Sequence, residues 1–155
     1  LRRHTVTKIL PFQPDQLFEM VGDVDRYPQF VPWLTGMRTW NPQQIEPGVT
    51  SLDAEAGVGI SILRERFSTR VTRDANALWI HADLIQGPFR VLKNDWRFFP
   101  DPQGTRIEFS IDFEFKSRLL DAFLAANMDR AVQKLIACFE ARAKALYGTV
   151  GAEPT

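Results

Sequence analysis

From Arg106 to Phe115 the chain alternates without a slip. Ile107, Phe109, Ile111, Phe113 and Phe115 fall on one side, and Arg106, Glu108, Ser110, Asp112 and Glu114 on the other. A period of two over that length specifies a strand with one buried face and one wet face, hence an antiparallel sheet. Directly after it, Ser117 is a good N-cap and no Pro or Gly occurs from Arg118 to Tyr147. Leu120, Phe123, Leu124, Met128, Ala131, Leu135, Phe139 and Leu146 recur there at helical spacing. The apolar face of the strand and the apolar stripe of the helix each need a partner, and they supply one another.

The remaining segments fit the same plan. His4 to Leu10 reads as a first strand, and Pro14 opens a helix carrying Leu17, Phe18 and Val21 to Gly22, with a further short turn or helix over Val24 to Tyr27. Strand-like stretches then follow: a weak one at Thr50–Ala56, a long one at Ile60–Thr72, one through Leu78, Ile80, Ala82 and Leu84, and one over Phe89–Phe99. Asp74-Ala75-Asn76, Gly87-Pro88 and Pro100 to Gly104 separate them as turns, and Gly57-Val58-Gly59 reads as a hairpin turn. The expected fold is α+β: a curved antiparallel sheet of about six or seven strands wrapped around one long C-terminal helix, with one or two short helices after the first strand. One domain is expected over residues 1–148, with 149–155 as a flexible tail.

The stretch "RYPQFVPWLTGMRTW", Arg26 to Trp40, is unusual. Its prolines mark it as mostly loop, and a loop is normally polar. This one carries Phe30, Val31, Trp33 and Leu34, so it is expected to lie over an apolar opening as a lid or to plug the end of the core. Phenylalanine, at 12 residues, is the one compositional excess and implies a large aromatic core or an apolar cavity.

Several function classes find no support. Lys plus Arg is 19 and Asp plus Glu is 19, giving zero formal net charge, which argues against a dedicated nucleic-acid binder, DNA included. Cys138 is the only cysteine, so neither an intrachain disulfide nor a multi-cysteine metal site can form, and a reducing, cytoplasmic setting fits. No metal-ligand spacing is present. No apolar run is long enough to span a membrane, and the N-terminal segment lacks a signal-peptide core, so the chain is expected to begin near its mature N-terminus. His4 is expected to be solvated. His81, with Asp83 two residues on, forms a base-and-orienter pair on paper, but no nucleophile is tied to it. Glu65 is an acid on a face shared with Leu63, Phe67 and Val71; it is expected either to pair with a neighbouring arginine or to meet a ligand. No catalytic residue and no cofactor is assigned, and an apolar binder fits better than an enzyme.

Five segments, "LFEMVGDVDRYPQFVPW", "RERFSTRV", "GPFRVLKNDWRFFP", "IEFSIDFEFKSRLLDAF" and "LIACFEARAKALYG", together resemble the coenzyme Q-binding protein family. That family lies within the StAR-related lipid-transfer superfamily, also described as helix-grip or polyketide cyclase-like. The resemblance runs in order from about His4 to Gly148. The family's pattern often has a cysteine after the Pro-Trp; Leu34 stands here, which removes a thiol role at that position. The resemblance implies an apolar cavity between sheet and helix that binds ubiquinone or a related polyprenyl lipid in support of respiratory electron transfer. Bacterial members are also described as ribosome association toxins acting on the large ribosomal subunit, and older labels call them cyclases. The expected ligand-lining residues are Phe30, Val31, Trp33, Leu34, Leu63, Glu65, Phe67, Phe89, Trp96, Leu120, Phe123, Leu124 and Met128. Trp33, Trp96 and Lys93 are the expected hydrogen-bond donors to a quinone head. The expected location is the cytoplasm, peripheral at the inner membrane, with transient membrane-surface contact.

Overall fold

The computed structural model describes residues 1–60 and 63–148. Seven strands form one antiparallel sheet: β1 (Arg2–Leu10), β2 (Leu34–Glu46), β3 (Val49–Ile60), β4 (Leu63–Asp74), β5 (Trp79–Gln86), β6 (Phe89–Asp101) and β7 (Gly104–Phe115). Their order is β1-β7-β6-β5-β4-β3-β2, so each strand after β2 pairs with its predecessor, β1 closes against β7, and β1 and β2 are the two edges. Helix α1 (Pro14–Gly22) and a 3-10 turn, Val24–Gln29, follow β1. Helices α2 (Arg118–Ala125) and α3 (Met128–Tyr147) follow β7. This is the α+β helix-grip arrangement, a curved sheet closed over its C-terminal helices.

Three local expectations need correction. The single long helix is two: Asn127 leaves helical geometry at φ −118°, ψ 1°, and its side-chain amide donates to the Phe123 carbonyl at 2.9 Å. Asn competes with the helix for backbone partners, and here it caps the first segment instead of continuing it. Helix α3 alone is therefore about 30 Å long. Second, the greasy stretch is loop only as far as Trp33; from Leu34 it is edge strand β2, because neither of its prolines falls beyond position 32. The later Pro42 is tolerated at a register shift of that edge strand, next to Asn41 at φ 57°. Third, Gly57 and Gly59 lie within β3, not in a turn; a Cβ at Gly57 would meet Thr35 Oγ1 at 2.7 Å, so glycine allows β2 to approach. Ile60 ends β3, and the long strand expected from it begins at Leu63. The expected tail at 149–155 lies outside the described residues.

The register places Leu92, Asn94, Trp96 and Phe98 of β6 opposite Phe113, Ile111, Phe109 and Ile107 of β7 on the inner face. Around them the main core collects Leu17 and Val21 of α1 and Val132, Ile136, Phe139 and Ala143 of α3. The β6–β7 turn is locked onto the chain entering α1: Thr105 is fully buried and its hydroxyl donates to the Phe12 carbonyl at 2.6 Å. Gly104, at φ +131°, sits where a Cβ would lie 2.2 Å from the Leu10 carbonyl oxygen. Gly104→Ala should therefore lower unfolding free energy by more than about 2 kcal/mol in urea titration, from left-handed strain plus the backbone clash.

Candidate functional site

The inner face divides into two apolar regions. In the main core an enclosed void of about 10 Å³ remains between Trp96, Phe109, Ile136 and Phe139. That is room for one water at most, so the cavity expected around Trp96 is filled by side chains. Trp96 packs on Phe139 with ring centroids 4.8 Å apart, and its indole N–H donates to Asn94 Oδ1 at 3.0 Å. Its donor is thus already used within the fold. Lys93 is exposed on the outer face, one residue out of phase with Leu92 and Asn94. Neither can be the inward-facing donor expected of it.

The second region is the candidate site. Leu92, Phe113 and Phe115 form its floor, and Phe67, Leu84, Phe89, Leu120, Leu124 and Met128 pack against them. Phe89 lies between Phe115 and Phe67 at centroid distances of 4.4 and 5.4 Å. Five of the thirteen residues singled out from sequence therefore meet here: Phe67, Phe89, Leu120, Leu124 and Met128. Leu63 and Glu65 continue the same face of β4 toward its start, opposite Ile60 and Val58 of β3. Glu65 is half-buried and makes no hydrogen bond or ion pair among the described residues, because Arg64 and Arg66 extend from the other face of the strand. The expected pairing with those arginines does not form.

Helix α2 roofs this region yet none of its residues is buried. Leu120 and Leu124 turn inward, while Phe123, expected in the lining, points to solvent at 57% exposure. A few polar contacts hold the roof. Ser117 Oγ accepts from Leu120 N–H at 3.2 Å, and Asp121 accepts from Phe115 N–H at 3.2 Å and from Arg2 at 3.0 Å. These contacts hold the Asp121 carboxyl below its usual range, led by the Phe115 N–H and the Arg2 guanidinium.

Sequence reading missed the way β1 grips the helices. Arg2, His4 and Lys8 share the inner face of this edge strand and pair with Asp121, Asp129 and Glu140 at 3.0, 2.9 and 2.8 Å. His4 also stacks on Phe113 at 6.1 Å, so it is a docking residue and not a solvated one. The signal was available: these three are the polar members of the alternation that ends in Val6 and Leu10. Asn94, a polar residue in the apolar run of β6, was missed for the same reason. His81 lies on the outer face, bonded to Asp83 at 3.1 Å and stacked on Trp79, with no access to the interior.

The Phe30–Leu34 stretch lies elsewhere, against α3. Val31 is fully buried, and Phe30 packs edge-on against Tyr27 and Phe139. Trp33, half-buried, lines an open groove of about 770 Å³ with Phe30, Pro32, Ala137, Cys138 and Ala141. Leu34 begins β2, and Trp33 offers its carbonyl to Gly59 N–H at 2.9 Å. Burial raises the Cys138 thiol, keeping it protonated and inert.

The comparisons agree with this geometry. Residues 10–140 match the family described as polyketide cyclase / dehydrase and lipid transport. The chain belongs to that family. Among family members, the ribosome association toxin RatA of Rickettsia prowazekii is 36% identical over 141 residues, covering 89% of this chain and 93% of its own. The mitochondrial coenzyme Q-binding protein COQ10 homolog B of Xenopus laevis is 29% identical, covering 94% of this chain and 59% of its own length. The solution structure of the 18 kDa protein CC1736 from Caulobacter crescentus superposes with a TM-score of 0.81 at 62% identity, over 96% of this chain and all of that one. Both lipid transport and cyclase chemistry fall within the family's description, and the names of its members include both ribosome association and coenzyme Q binding.

Two expectations follow. Val31→Ala should destabilise the fold more than Trp33→Ala does in chemical unfolding, since only Val31 is fully enclosed. Asp121→Asn should speed hydrogen exchange across α2 at neutral pH. Because the folded carboxyl titrates below its unfolded value, its contribution is complete above that value and fades as pH falls through the depressed one. The difference from wild type should therefore shrink below about pH 4.

Proposed function

We propose that this protein binds ubiquinone or a related polyprenyl lipid without catalysing a reaction on it, and carries it in support of respiratory electron transfer. The observation that carries this reading is the apolar floor of Leu92, Phe113 and Phe115 under a helix that buries none of its own residues. A ligand enters by lifting α2 about the Ala126-Asn127 break, replacing Leu120 and Leu124 on the floor with its own hydrocarbon. Burial contributes about 0.8 kcal/mol per carbon, so a five-carbon isoprene unit supplies about 4 kcal/mol. Micromolar affinity needs about 8 kcal/mol net of the association cost, which three or four units cover. Glu65, unpaired at the open end of the same face, is placed to accept a hydrogen bond from a hydroxyl of a reduced head group. The coenzyme Q-binding relative and the lipid-transport part of the family description support the same reading.

A second reading, association with the large ribosomal subunit, is favoured by the name of the Rickettsia prowazekii relative. Two of the β4 arginines, a cationic run that such a surface would need, are committed within the fold. Arg70 is tied to Asp53 at 2.9 Å, and Arg73 turns inward to the Gly22 carbonyl at 3.0 Å. A cyclase reading needs an acid or base facing the interior; with His81 outside and the inward His4 tied to Asp129 at 2.9 Å, Glu65 is the inward candidate without a partner among the described residues, and full biological function in Glu65→Gln would remove it.

Titration with short-chain ubiquinone, followed by tryptophan quenching, should saturate in the micromolar range. Leu124→Arg, which sets a charge over the floor, should weaken it at least tenfold, and far-UV circular dichroism and the unfolding midpoint, measured beside it, separate loss of binding from loss of fold. No uptake of quinone or any apolar probe would overturn the lipid reading. Salt-sensitive co-sedimentation with large subunits, in its place, would establish the second.

A further inference from the structure

The outer side of α2 is as apolar as its inner side. Leu119 is 84% exposed and Phe123 57% exposed. They stand four residues apart, one turn along the same helix face. Leu120 and Leu124 already meet the packing needs of the roof, so the fold has no use for Leu119 and Phe123 where they are.

The charges near the start of α2 that make no ion pair among the described residues include a group of cations. Lys116 and Arg118 flank Ser117 at the start of α2. Lys116 N–H donates to the Pro88 carbonyl at 2.9 Å, which brings the β5–β6 turn and Arg90 to the same end of the sheet. Arg66 lies at that end too, its carbonyl beside Gly87. These four side chains are exposed, and none makes an ion pair among the described residues. The acids nearby are largely occupied: Asp121 by Arg2 and Phe115 N–H, Glu114 by the N-terminal amine at 2.9 Å, and Asp112 by Arg3 at 2.6 Å. Glu65 faces inward. A chain with zero net charge thus carries four cations without an ion pair among the described residues at the end of the sheet where α2 begins.

We infer that this end of the molecule docks on an anionic lipid surface, with Leu119 and Phe123 entering the acyl boundary and Lys116, Arg118, Arg90 and Arg66 meeting the phosphates. Apolar insertion with flanking cations is the pattern by which a peripheral helix holds to a bilayer. The charge complementarity selects a membrane over a second copy of the chain, whose identical cations would face one another. The inference deepens the lipid-binding reading, which it takes as its ground: the roof that must lift to admit a lipid is the part that touches the source of lipid. Inserting the outer face of α2 draws it away from the sheet.

The test is co-sedimentation with quinone-free vesicles of equimolar phosphatidylcholine and phosphatidylglycerol. Wild type should bind them, and bind pure phosphatidylcholine vesicles more weakly. The Leu119→Ser/Phe123→Ser double variant and the Lys116→Glu/Arg118→Glu double variant should each weaken binding at least about tenfold, with unchanged circular dichroism and unfolding midpoints. Sedimentation velocity without lipid should show a monomer. Failure of wild type to bind anionic vesicles, or equal binding by both variants, overturns the inference. A dimer that Phe123→Ser dissociates also overturns it. Titration of Leu119→Ser with short-chain ubiquinone in detergent-free solution reads the interior site separately: it should match wild type, so loss of vesicle docking alone leaves the quinone reading standing, and loss of quinone uptake in wild type removes that reading whatever the vesicles show.

Discussion

The apolar face of β7 is the constraint on which everything else depends. Ile107 and Phe109 belong to the main core, Phe113 and Phe115 to the floor beneath α2, and Ile111 touches both. One strand therefore supplies the walls of a closed region and of a coverable one, with β1 on one side and β6 on the other. A slip of one residue would send all five side chains to solvent and place Arg106 and Glu108 in the core. The turn at Gly104 and the buried Thr105 hydroxyl prevent it at one end, and the Phe89–Phe115 ring contact prevents it at the other.

The two regions differ in how they are covered, and that difference carries the functional reading. Helix α3 commits Val132, Ile136, Phe139 and Ala143 to full burial, and the space beneath it is filled to about one water's volume. Helix α2 commits no residue to full burial and is held chiefly by the Ser117 cap, Asp121 and half-buried leucines. Regions held by few buried contacts are the ones that open at low cost. The helix break at Asn127 divides the C-terminal segment into α3, which buries four residues, and α2, which buries none.

Polar groups on the inner face do structural work at the edges. The pairs Arg2–Asp121, His4–Asp129 and Lys8–Glu140 attach β1 to both C-terminal helices along the rim of the core. Being largely solvent-accessible, each pair contributes little to stability; their effect is to set where the helices sit. Glu65 is the exception, an inward acid with no partner among the described residues.

Antiparallel pairing and the presence of a C-terminal helical grip were legible from periodicity, because β7 alternates strictly and the segment after it keeps helical spacing; the position of β2, in a stretch that reads as loop, and the break at Asn127 were not. Phe67, Leu120, Leu124 and Met128 were legible from parity on β4 and from helical spacing; Phe89, out of phase with Leu92, reaches the same face through the register shift between Phe89 and Val91, which alternation does not foresee. What periodicity could not decide was which apolar positions are sealed and which are merely covered. Trp96 and Phe89 look alike in sequence, yet one is locked by Phe139 and Asn94 while the other sits under a loosely held helix. Phe123 and Leu124 are neighbours in one stripe, but a helix resting on a sheet edge can turn only one of them inward. Local pattern sets which face of an element is apolar; how deeply that face is buried is a property of the elements packed against it, and those are brought together only by the folded chain.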